Sequence, residues 1–454
     1  MIQSISPTDG RLVAEYAETT PDEVAAQIEA AVALQREWTQ TPIVERAIPM
    51  MKAADLLEEA REDLAELMAA EMGKPLSQGR AEVDKCAWVC RHYAEKAEQI
   101  LADEQIEAGR SSSYIAYRPL GVVLAVMPWN FPLWQVFRFV APALMAGNGG
   151  LLKHASNVTG CALAIDRIVT EAGFPDGLFR TLVVPSSRVD EILQHSGVVA
   201  ATLTGSDPAG RAVAAKAGSL LKKMVLELGG SDPYIVLADA DLAVAAETCA
   251  ASRLINGGQS CIAAKRFIVE APVVEEFTSL LARAFSDTVV GDPLDEATTM
   301  GPMARVDLRD ELHAQVEASV AAGARLILGG AVPDGPGAFY PPTLLAKVQD
   351  GMPVYREETF GPVAAVIEAA DLEDAVNIAN DTEFGLGAAI FTSDLELGER
   401  IARDRLEAGA CFVNAFVASD PRLPFGGIKM SGYGRELSDM GMKEFLNAKT
   451  VVVA

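Results

Sequence analysis

A chain of 454 residues, half of them hydrophobic and 22% charged, has room for two or three domains with sizeable cores and is neither disordered nor low in complexity. Its formal net charge of -25 repels phosphate backbones and anionic lipid surfaces, which excludes nucleic-acid or membrane binding as the main activity. Six cysteines without zinc-ribbon spacing and only four histidines give no expected metal site, and an anionic ligand would depend on local cations such as Lys153 and Arg138.

The first residues carry no basic segment followed by an apolar one, so the cytoplasm is the expected location. Helical periodicity predicts three helices, over residues 21–38, 44–72 and 75–101, with Gly73 and Pro75 as punctuation between the last two. Tyr114 to Arg118 reads as an exposed strand arm. The uncharged run from Gly121 to Phe137 approaches the length of a membrane span, but Pro128, Asn130 and Pro132 interrupt it and Arg138 ends it. From Gly121 to Leu228, near-continuous apolar strands alternate with helices, the pattern of a parallel sheet covered on both faces. Neither G-x-G-x-x-G nor a Walker A lysine occurs in it. A second α/β unit begins near Gly229, and the tail from Lys449 to Val453 reads as an exposed edge strand open to pairing with another subunit.

Three stretches carry chemistry. Asn256-Gly257-Gly258-Gln259-Ser260-Cys261 sets a cysteine in a glycine-bearing turn, where side-chain-free residues leave room and open N–H groups to a thiolate. Glu227 follows the apolar run Met224-Val225-Leu226, and Asn130 follows the strand Val122 to Val126. Taken singly, each has a plainer explanation: an inert buried thiol, an ion-pair carboxylate, a turn-forming asparagine. Ligands of open α/β sheets bind beyond the carboxyl ends of the strands, so a thiol, a carboxylate and an amide donor are expected to converge there.

With Gly205-Ser206, Glu357-Glu358-Thr359-Phe360-Gly361-Pro362, Pro424-Phe425-Gly426-Gly427 and Ser431-Gly432 in the same order, these stretches resemble the aldehyde dehydrogenase superfamily from about Ile5 to Val453. Leu152-Lys153-His154-Ala155-Ser156-Asn157 and the short N-terminus look most like the bacterial NADP-using succinate-semialdehyde dehydrogenases. The resemblance implies an α/β fold of two doubly wound parallel-sheet domains with a small β oligomerisation element. Residues 1–107 and 122–228 would bind the cofactor, 229–434 would be catalytic, and 108–121 with 435–454 would join copies into a homo-oligomer, a dimer or a tetramer.

It further implies that Cys261 adds to an aldehyde, that Asn130 and the Cys261 N–H hold the oxyanion, and that Glu227 activates the water that hydrolyses a thioester. The implied cofactor is NADP, with NAD as the alternative, on Trp129, Asn130, Lys153, His154, Ala155, Ser156, Gly205, Ser206, Leu228 and Glu358. Ser156 stands where NAD-using relatives commonly have a glutamate that repels a 2′-phosphate. Arg138 is expected to bind the far carboxylate of a short semialdehyde. Some relatives have a second arginine where this chain has Ile255, so Gln135 or Ser419 is expected to assist. A broader aliphatic or glutarate-type semialdehyde dehydrogenase is the alternative substrate reading. Glu227 disfavours a CoA-acylating enzyme, and intact Cys261, Glu227, Asn130 and Glu358 disfavour a catalytically silent scaffold.

Overall fold

Four helices, where periodicity predicts three, precede the first large sheet in the computed structural model, which describes residues 1–454. Pro21–Trp38 starts as its sequence dictates: Thr20 and Glu23 form a reciprocal capping box and Pro21 occupies the first turn. The expected helix over residues 44–72 is broken into Ile43–Glu59 and Arg61–Met72, with Ala60 at φ -92 and ψ 11. Neither glycine nor proline marks that break. The bend lets both pieces pack against the 25-residue helix Leu76–Ile100, so tertiary contact overrides a continuous helical pattern. Gly73 ends the second piece in the left-handed conformation, φ 78, where a β-carbon would also meet Pro302 at 2.8 Å.

Two large sheets form the body of the protein. The first has six strands in the order Gly432–Tyr433, Lys223–Glu227, Val198–Thr204, Val122–Met127, Gly149–His154 and Phe179–Thr181. All its pairings are parallel except that of Gly432–Tyr433, a short strand from the far end of the chain that runs antiparallel beside Glu227. The second has seven strands, Arg325–Leu328, Thr343–Ala346, Val363–Ala369, Arg266–Glu270, Pro233–Val236, Gly387–Phe391 and Ala410–Val413, with only the edge strand Arg325–Leu328 antiparallel. Buried apolar side chains line both faces of each sheet, which is why their strands read as unbroken apolar runs.

Ser112–Pro119 pairs in antiparallel register with Leu446–Val453 and with Glu104–Gln105, a three-stranded sheet apart from the other two. Val452 and Val453 remain about half exposed along its edge. An N-terminal hairpin of Ile2–Ile5 and Leu12–Tyr16, not expected from the sequence, completes the strand inventory. No helix is long and apolar enough to cross a membrane.

Candidate active site

The strands of the first sheet deliver four of the candidate stretches at their carboxyl ends. Val122–Met127 leads into Trp129 and Asn130, Gly149–His154 ends at Lys153 and His154, Val198–Thr204 leads into Gly205 and Ser206, and Lys223–Glu227 ends at Glu227 itself. The cysteine turn does not share this placement. It precedes Arg266–Glu270 and therefore lies at the amino end of a strand of the second sheet, so the site forms where the carboxyl ends of one sheet meet the amino ends of the other.

Asn256, Gly257 and Gly258 are all left-handed, with φ of 53, 62 and 74, and turn the chain sharply out of helix Leu242–Leu254. Gly258 does not hold space open for a substrate. A β-carbon there would stand 2.2 Å from the Gly361 carbonyl oxygen, so the missing side chain instead lets the Glu358 motif close on the cysteine turn. Lys265 fixes the other side of the loop: fully buried, it donates to the carbonyls of Ser260 at 3.0 Å, Cys261 at 2.8 Å and Ala263 at 3.2 Å. Cys261 itself keeps a partly exposed surface on the cleft, and its N–H makes no hydrogen bond. The packed surroundings push its thiol up to about 12, while the charges of Arg138 and Lys265 pull the other way.

Asn130 is placed with equal care. Its backbone carbonyl accepts from Lys74 Nζ at 3.0 Å and Asn256 Nδ2 at 2.7 Å, and its own Nδ2 donates to the Gln259 carbonyl at 3.1 Å. One amide hydrogen anchors the side chain to the nucleophile loop and leaves the second for an oxyanion. Glu227 sits deeper, 2% exposed, with neither carboxylate oxygen hydrogen-bonded. Burial, followed by the neighbouring Glu436, raises its pKa well above the ordinary carboxylate range, against the opposing charges of Arg138 and Arg435. A β-carbon on Gly426 would lie 2.6 Å from Glu227 Oε1, which accounts for the glycine in Pro424-Phe425-Gly426-Gly427. No hydrogen bond joins Glu227 to Cys261.

A cavity of about 210 Å³ borders these groups, lined by Trp129, Asn130, Gly205, Ser206, Leu228, Cys261 and Glu358 together with Pro128, Thr204, Gly229, Leu308 and Phe360. Lys153 and Ser156 lie outside its lining. Gly205 has no atom closer than 3.7 Å to where a β-carbon would project, and the Ser206 hydroxyl leaves the amino end of helix Asp207–Ser219 uncapped, a ready seat for phosphate. Glu358 is oriented by the Gly230 N–H at 2.9 Å and by Lys265 at 3.6 Å. Lys153 is buried at its strand end with only the neutral Ser186 hydroxyl, 3.0 Å away, as partner. Ser156 is exposed, and it opens a single helical turn without giving a capping bond.

At two of the expected contact residues the side chains have protein partners. The His154 ring is buried and neutral, its pKa pushed down to about 4 by desolvation, and both nitrogens are committed, one to the Pro132 carbonyl at 2.8 Å and the other to the Ala155 N–H at 2.9 Å. The ring braces the loop from behind. Arg138 lies 2% exposed, ion-paired with Glu436, donating from Nη2 to Thr204 Oγ1 at 3.1 Å, and stacked over the Phe425 ring. Its charge is thus already matched by a protein carboxylate that arrives from almost 300 residues along the chain. Nothing in the sequence announces Glu436. Lys265, four residues after Cys261, carries a weak signal in its spacing that reading the motif alone overlooks.

A partly exposed thiol with an uncommitted N–H and an anchored amide on one cavity wall, with a buried carboxyl nearby, have the parts of an enzyme of covalent chemistry. The chain belongs to the aldehyde dehydrogenase family, whose model matches residues 1–451. It is 52% identical over 453 residues to a protein of Synechocystis sp. named probable succinate-semialdehyde dehydrogenase, NADP(+), covering all of both chains. A Mycobacterium avium succinate-semialdehyde dehydrogenase, NADP(+), is 50% identical over 454 residues, covering 99% of this chain and 96% of that one. Among solved structures, the succinic semialdehyde dehydrogenase of Streptococcus pyogenes in complex with NADP+ superposes with a TM-score of 0.98 at 36% identity over the full length of both.

Proposed function

We propose that this chain oxidises succinate semialdehyde to succinate with NADP, through a thiohemiacetal and then a thioester on Cys261. The observation that carries the reading is the meeting of the Cys261 thiol, its free N–H and the Asn130 amide on the wall of the cavity that also holds Gly205, Ser206 and Glu358. Full-length relatives at 50% and 52% identity bearing that name support the substrate.

Once its proton has passed to a solvent water, the Cys261 sulfur bonds to the aldehyde carbon, and the oxyanion formed as the C=O π bond opens takes hydrogen bonds from Asn130 Nδ2 and the Cys261 N–H. NADP, when bound, accepts the hydride that leaves this carbon. Lys153 and Ser156 would hold its adenosine ribose and 2′-phosphate, Gly205 and Ser206 the pyrophosphate, Glu358 the second ribose, and Trp129 and Leu228 the nicotinamide. Ala155 contributes backbone only, its N–H being taken by His154 and Met127. Glu227 then accepts a proton from the water that attacks the thioester, and the freed carboxylic acid departs. The same reading has the protein working in the cytoplasm as a homo-oligomer. Six free cysteines suit a reducing compartment, and the half-exposed apolar edge of Leu446–Val453 suits pairing with a second copy.

Initial rates on a set of aldehydes with NADP and NAD test the substrate. Succinate semialdehyde with NADP is expected to give the highest kcat/KM, and an equal value on butanal would replace this reading with the broader aliphatic one. Ser156→Glu places a carboxylate where the 2′-phosphate would lie, so the NADP to NAD ratio of kcat/KM should drop roughly 10- to 100-fold. An unchanged ratio would remove Ser156 from the cofactor site. Arg138→Leu, which strands Glu436 in the interior, is expected to lower stability by about 3–5 kcal/mol and to impair butanal as much as succinate semialdehyde. A loss confined to the acidic aldehyde, with an unaltered melting temperature, would return the carboxylate-binding role to Arg138.

A further inference from the structure

Three basic side chains crowd the start of helix Trp134–Met145, and two of them have partners. Lys74 is ion-paired with Glu82 and lies over the Phe131 ring at 4.1 Å, and Arg138 is ion-paired with Glu436. Lys85, one helical turn beyond Glu82 on Leu76–Ile100, has no carboxylate within 4.0 Å. Its ammonium lies 4.4 Å over the Trp134 ring and donates to Ser419 Oγ at 2.8 Å. The carboxylates that could neutralise it are occupied. Glu82 accepts from Lys74 and from the N–H groups of Leu133 and Trp134, and Asp420 is taken by Arg422. Holding a mostly buried cation without an anion costs stability that a ligand carboxylate would relieve.

Position supports the same occupant. Trp134 opens the helix that follows the Asn130 turn, and Glu82, one turn before Lys85, accepts from its N–H and pairs with Lys74, whose Nζ also donates to the Asn130 carbonyl, so Lys85 and Ser419 sit against the segment that carries the oxyanion donor. In an extended semialdehyde of four carbons, three C–C bonds of about 1.5 Å separate the two carbonyl carbons by roughly 4 Å, with the carboxylate oxygens reaching somewhat further. We infer that Lys85, with the Ser419 hydroxyl beside it, receives the far carboxylate of the substrate and makes the enzyme selective for acidic aldehydes. The inference rests on the succinate semialdehyde reading and assigns to it a residue that the sequence motifs do not mark. Burial, then the nearby charge of Arg138, hold the free ammonium down at about 8, while Cys86, Glu82 and Asp420 act in the opposite sense. An arriving carboxylate would therefore secure its proton.

The test compares wild type, Lys85→Met and Lys85→Arg on succinate semialdehyde and butanal, with KM and kcat resolved for each. The ratio of kcat/KM for the acidic over the neutral aldehyde should drop roughly 10- to 100-fold in Lys85→Met, mostly through KM, and Lys85→Arg should recover most of it. The inhibition constant of succinate should rise in parallel. Should Lys85→Met fail to fold, Lys85→Gln, which can still donate to Ser419, carries the same expectation. A wild type that itself shows no preference for the acidic aldehyde would overturn the substrate reading. A wild-type preference that survives loss of the charge at Lys85 would overturn this assignment alone.

Discussion

Cys261→Ala should abolish aldehyde oxidation, lowering kcat by roughly 10⁴-fold or more, while the protein still binds NADP. The substitution removes only the sulfur: the loop is held by Lys265 through three carbonyls and by Gly258 against Gly361, none of which involves the thiol. Trp129 lines the cleft beside the nucleotide seat, so quenching of intrinsic fluorescence on adding NADP reports binding independently of turnover. Oxidation persisting near the wild-type rate would show that no covalent adduct on Cys261 is required.

Glu227→Gln should separate the two halves of the reaction. An amide cannot take the proton of the attacking water, so a rapid burst of about one NADPH per active site should precede turnover slowed by roughly 10²- to 10⁴-fold. Quenched samples should show the acyl adduct by intact mass. The wild type carries a pH signature of the same residue. Because burial and Glu436 raise the Glu227 pKa, the carboxyl stays protonated where an exposed glutamate would be ionised, and its basic form accumulates as pH climbs through that raised value. Thioester hydrolysis should therefore accelerate with pH in the wild type and lose that limb in Glu227→Gln. A hydrolysis rate with the same pH dependence in both would assign the base elsewhere.

The site's chemistry was far more legible than its wiring. Cys261, Asn130, Glu358 and the Gly205-Ser206 turn stand in local motifs whose order along the chain carries the resemblance, and one cavity brings all of them together. Glu227 was equally readable as a carboxylate at a strand end, but its withdrawal beside Glu436 was not, since the two are more than 200 residues apart. The partner of the His154 ring was hidden for a related reason: the Pro132 carbonyl that engages it is 22 residues away along the chain.

By itself the sequence determined the alternation of strands and helices and the parallel character of the sheets, because periodicity and punctuation are local properties, and the order of its motifs named the candidate reacting groups. The tertiary structure alone decided which end of which strand each group occupies, where the helix over residues 44–72 breaks, and which buried charges neutralise one another. Arg138 and Lys85 show the difference most sharply. Both are single cations on helices in the sequence, and only the fold brings Glu436 to one and leaves the other beside Ser419 without an anion. Electrostatic pairing is a property of distances across the chain, and no local pattern encodes it.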